Sequence, residues 1–184
     1  MSNKKKNDVA LENNVAEIDA LEMEATQDNV KINETVSKAL KPEIPAIDKH
    51  LLGYTLIVEN GKALKLSPKT QNHVFYQIAT QDDDDSLHIR LSGNEGGGLH
   101  SKEWISVDAI IAVLDEMKEQ PIKSTILKSV FKGGSTNNTA FLAAVLRSDE
   151  IGLLVQSEKS VFIHQLSADY DERKKVLLAL REIK

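Results

Sequence analysis

The sequence predicts an α+β protein in three parts: a disordered or partly helical acidic tail over residues 1–50, a small antiparallel β-sheet of two hairpins over 51–105, and a helical region over 106–184 that ends in a terminal helix. Three observations carry this. Residues 1–50 contain no Phe, Trp or Tyr and are rich in Asn, Asp, Glu and Lys. From Tyr54, apolar residues gather in short runs broken by Asn-Gly and by a row of aspartates. From Ser106, apolar residues recur every three or four positions behind Ser and Thr, the spacing of capped helices.

The tail cannot bury enough apolar surface to offset the entropy of ordering it. Within it, "ALENNVAEIDALEMEA" sets Leu11, Val15, Ile18, Leu21 and Ala25 on one narrow helical stripe. Isolated helices of that length are marginal in water. The stripe therefore fits either a nascent helix or one that docks on a partner or a second copy, so a homodimer stays open.

In the β region, "YTLIVENGKALKL" places Asn60-Gly61 between two apolar runs, which predicts a hairpin with a type I′ turn at its tip. "HVFYQIAT" and "SLHIRLS" form the second hairpin, with "QDDDD" between them. Those aspartates lack the ligand spacing, glycine and terminal glutamate of a calcium loop, so a solvated tip is expected and no metal. The loop "SGNEGGGLHSKEW" follows. Its glycines match no phosphate-binding fingerprint, yet Asn94, Gly96, Gly97, Gly98 and Lys102, with His100, Ser101 and Trp104, make a polar and aromatic set. That set is the expected place for a small ligand or a nucleotide base.

Ser106 caps a helix whose buried stripe is Val107, Ile110, Ile111, Leu114 and Met117. A second helix is expected from Ser124, with Ile126, Leu127, Val130 and Phe131 inward and Gly133 as its stop. Thr136 or Asn137 starts a third, to about Ser148. On it Phe141, Leu142 and Val145 share the core side with Leu146 at its margin, while Thr136, Ala140, Ala143 and Arg147, flanked by Asn137, Thr139 and Ala144, share the other. So small and polar a face fits close approach to a nucleic-acid groove, and equally close packing against another protein element. "IGLLVQSEKSVFIHQL" reads as a hairpin with its tip at Ser157–Ser160, and the chain closes on an amphipathic helix.

Composition narrows the function. The chain has no cysteine, which excludes disulfides, thiolate chemistry and sulfur-ligated metal sites. No apolar run reaches the roughly 20 residues of a membrane span, and "MSNKKKNDVALENN" lacks a secretory apolar run, so a cytoplasmic protein is expected. Neither H-x-x-x-H nor G-x-S-x-G occurs, and adjacency of His100, Ser101 and Glu103 makes no triad, so neither enzyme activity nor a cofactor is expected. A net charge of −5 argues against general coating of polyanions, although residues 121–166 carry five cations against three anions.

The order helix, helix, turn, helix, hairpin over roughly 106–166 resembles the winged helix-turn-helix superfamily. The likeness implies duplex DNA as partner and a regulatory or accessory role. It would set Thr136, Asn137, Thr139, Ala143 and Arg147 toward a groove, with Lys132 in the turn and Lys159 at the wing tip on the backbone. A protein partner held by the same winged helix is the alternative. The four strands followed by a helix also resemble the Whirly and PUR-type single-strand binders, for which Phe75, Tyr76 and Arg90 would serve.

Overall fold

The computed structural model describes residues 48–118 and 120–183; the tail over residues 1–47, with its helical stripe, lies outside them. The fold is mixed α+β with antiparallel sheets. Strands β1 (Tyr54–Leu64), β2 (His73–Gln81), β3 (Leu87–Asn94) and the short β4 (Ile105–Ser106) form one sheet in the order β1-β2-β3-β4. Helix α1 (Val107–Asp115) follows directly, capped as its sequence predicts: the Ser106 hydroxyl accepts the Ala109 amide at 3.3 Å. Strand β5 (Ile122–Lys123), a 3-10 helix (Ser124–Val130), α2 (Asn137–Leu146), β6 (Leu154–Ser157), β7 (Ser160–Leu166) and α3 (Tyr170–Ala179) follow, and short 3-10 turns stand at Lys49–Leu51 and Leu180–Glu182. The second sheet has the order β5-β7-β6.

The Asn60-Gly61 hairpin does not form. Both residues lie inside β1, which runs unbroken to Leu64 and pairs Gly61 with Tyr76 and Ala63 with Val74 on β2. The true connection is residues 65–72, closed by the Lys65 amide on the Asn72 carbonyl at 2.9 Å. Gly61 serves a close approach instead of a turn. Its missing side chain leaves room for the buried Tyr76 ring, and bulges between Leu56 and Gly61 absorb the irregularity. The sheet is thus a meander, not two hairpins. The aspartate-tipped hairpin is present: β2 and β3 pair with Ile78 opposite Ile89 and Tyr76 opposite Leu91, and Asp84 accepts the Ser86 amide in the turn.

The 3-10 helix replaces the α-helix expected at Ser124. The Ser124 hydroxyl is bonded to His164 on β7, so it caps nothing, and the segment ends at Val130 after seven residues, with Phe131 already extended. Helix α2 differs most from expectation. Its Leu142, Ala143, Ala144, Val145 and Leu146 are all buried, because it packs against the 3-10 helix and against β1 and β2. One apolar core joins the β region to the helical region, running from Ala63 and Tyr76 through Leu114 and Leu142 to Leu177. At the far end, Tyr170 on α3 donates to Asp115 on α1 at 2.9 Å and Lys174 pairs with the same carboxylate, tying the last helix down.

Candidate functional site

The two polar, glycine-bearing segments of the sequence meet in space at the start of α2. The Ser101 amide donates to the side-chain carbonyl of Asn138 at 3.0 Å, and the Asn137 amide group donates to the Leu99 carbonyl at 3.3 Å. The Lys132 amide donates to Glu103 at 3.1 Å. Asn138, 2% exposed, also donates to the Gly133 carbonyl, so this one side chain holds both loops. The sequence put weight on Asn137; the buried neighbour carries the structural role.

The loop over residues 94–100 is no phosphate cradle. Phosphate needs converging N–H groups, whereas here the carbonyls of Glu95 and Gly97, with the side-chain oxygen of Asn94 at 2.9 Å, surround the ammonium of Lys65. The positive φ angles of Gly96, Gly97 and Gly98 turn those carbonyls inward. The same ammonium lies 5.0 Å from the centre of the Phe141 ring, which is half-buried under the loop and not in the central core. Lys102, just beyond the loop in the chain, is exposed. Trp104 faces elsewhere: it stacks on Tyr54 at 4.6 Å and its indole donates to the His50 carbonyl. His100 faces Asn94, and Ser101 donates to Glu103, so the three do not assemble as a triad.

The groove-facing set divides. Thr136 and Lys132 are exposed, and Asn137 and Thr139 are half-buried at the first turn of α2. Ala143 has no exposed surface and cannot touch a nucleic acid. Arg147 is committed to the hairpin behind it, donating to the Val161 carbonyl at 2.9 Å and to Gln156 at 2.8 Å, and burial lowers its pKa. Lys159 is exposed at the hairpin tip but borders a different cleft, beside Lys118 and α3. In the first sheet, Tyr76 is 1% exposed and Arg90 3%, the latter bonded to Gln77 and Asp48, so neither can stack or track a single strand.

What the geometry does assemble is a cleft of about 400 Å³ between the 3-10 helix and the start of α2. Thr125, Lys128, Phe131, Lys132, Thr136 and Thr139 line it, and no carboxylate does. Thr125 and Lys128 were not singled out from sequence, because a face shared by two short elements has no signature in either one. Among the described residues no group of three or more His, Asp or Glu gathers to hold a metal ion, and no helix is long and apolar enough to cross a membrane.

Behind the cleft, His164 on β7 has no exposed surface; one ring nitrogen bonds the Ser124 hydroxyl at 2.9 Å and Nδ1 has no partner. Burial, and then the nearby Arg147 charge, push its pKa down to about 4. The fold accepts the neutral ring, so its contribution is complete above the ordinary value of 6.5. As pH falls from there toward 4, the unfolded chain takes up a proton that the native state refuses, and roughly 3 kcal/mol of stability is lost. Urea unfolding of wild type and His164→Gln from pH 7 to 4 measures this as a gap that narrows on acidification; parallel curves would refute it.

No family model, curated protein or solved structure matches this chain.

Proposed function

We propose that the chain binds duplex DNA through the cleft between the 3-10 helix and the first turn of α2, within a winged helix-turn-helix arrangement running from α1 to β7. The lining of that cleft carries the proposal: two lysines and three threonine hydroxyls around one aromatic floor, with no acid, in a chain of net charge −5. Cations gathered on one face of an acidic protein are the electrostatic footprint of a polyanion partner, and lysine and threonine are common donors to phosphate oxygens. The element order and the pairing of β5 with β7 support the winged arrangement. Only the first turn of α2 is accessible, so the contact is with backbone phosphates more than with base edges. Such a protein acts in the cytoplasm as a regulator or accessory factor.

A fluorescence anisotropy titration with a labelled random-sequence duplex at two salt concentrations tests this. Lys128→Glu combined with Lys132→Glu is expected to weaken binding about 100-fold and to lower the salt slope by about two. Wild-type protein without salt-sensitive binding would reject the proposal. A protein partner is the second reading, favoured by Phe162 and Val155, which are 56% and 42% exposed on the β6–β7 hairpin. In that case Phe162→Ser abolishes partner binding and the lysine variant leaves it intact.

A further inference from the structure

We infer that Leu99 is a wedge that enters between base pairs of a bent duplex, an inference that rests on the duplex-binding proposal. Leu99 is 84% exposed, at the end of the glycine run. A single exposed leucine is ordinary on a protein surface; a fixed one beside cations is not. Its loop is pinned on both sides. Lys65 holds the carbonyls of Glu95 and Gly97, Asn94 donates to the Gly98 carbonyl at 3.0 Å, Asn137 to that of Leu99, and the Ser101 amide is bound by Asn138. The backbone that presents the leucine is therefore already ordered, which removes most of the entropic cost of inserting it.

The surroundings favour DNA over a protein pocket. Leu99 and the turn Lys132–Thr136 line one depression, and that turn is also a wall of the lysine cleft. Leu99 is the one aliphatic residue in that depression, whereas an anchor for a protein partner normally stands at the centre of an apolar patch. Glu103, the one acid there, is engaged: Ser101 donates to one oxygen at 2.9 Å and the Lys132 amide to the other. Lys102 and Lys132 remain exposed nearby. An apolar side chain with cations beside it is the device by which minor-groove proteins unstack one base step and kink the duplex, while phosphate contacts hold the bent arms.

The test uses full-length protein and a duplex of about 24 base pairs with a flexible central TA step, labelled at its two ends for energy transfer. Saturating wild-type protein is expected to shorten the end-to-end distance. Leu99→Ser, a change at a solvated position that leaves the core untouched, is expected to bind within about three-fold of wild type while the duplex stays straight. Salt-sensitive wild-type binding without shortening, or equal shortening by Leu99→Ser, overturns the wedge and leaves the duplex-binding proposal standing. Absence of salt-sensitive binding by wild type overturns both.

Discussion

Replacing Ala143 by Glu is expected to abolish the cooperative fold. Ala143 has no exposed surface on a helix pressed against β1, β2 and the 3-10 helix. A carboxylate there would be too large for the space, and Arg147, one turn further on, is already committed to the Val161 carbonyl and to Gln156. An uncompensated buried charge costs about 3–5 kcal/mol, a large share of the roughly 5–15 kcal/mol that holds a typical domain together. Thr136→Glu, one face-repeat earlier and exposed, should leave the urea midpoint near wild type. Circular dichroism of the two variants decides the matter. A folded Ala143→Glu with wild-type stability would mean that this face is open to solvent, as a groove-reading helix requires.

Gly61→Val is the second large effect, at about 3 kcal/mol of lost stability. A Cβ at this position would overlap the Cε2 and Cζ atoms of Tyr76, which is itself 1% exposed and has nowhere to move. The cause separates the strand from the turn. In a type I′ turn Asn is well tolerated, because it adopts positive φ; against the Tyr76 ring, Gly61→Asn is as damaging as Gly61→Val. Tyr76→Leu combined with Gly61→Val should cost less than the sum of the single changes, the signature of residues in contact. Additive urea midpoints across that cycle would remove the close approach.

Much of the chain obeyed its local chemistry. Ser106 caps α1 because a hydroxyl before a helical apolar stripe satisfies an amide that the helix leaves free. The aspartate run turns between β2 and β3, and the β6–β7 tip falls at Ser157–Ser160, because polar residues between alternating apolar runs have nothing to bury. Each of these outcomes is decided within a few residues along the chain.

The candidate site was less legible. Thr136 and Thr139 line the cleft with Lys132 of the preceding turn, Lys128 and Thr125 reach it from another element, Asn137 is turned to the Leu99 carbonyl, and Arg147 and Lys159 are engaged elsewhere. Proximity between elements depends on how they pack, which spacing along one helix cannot report.

The sequence by itself determined the Ser106 cap, the aspartate turn between β2 and β3, the β6–β7 tip and that the protein mixes helices with antiparallel strands, because backbone sterics and hydrogen bonding act over a few residues. Only the tertiary structure decided three matters. Ala143 and Ala144 are buried on a helix that packs against the 3-10 helix and the first sheet, Asn60-Gly61 runs through a strand, and two distant glycine segments close on Asn138. Alanine and glycine carry no side-chain group that fixes their surroundings: a small residue suits a groove, a turn or a tight contact equally well. What chooses among them is the partner surface, here the Tyr76 ring and the face of the sheet, and that surface comes from residues remote in the chain.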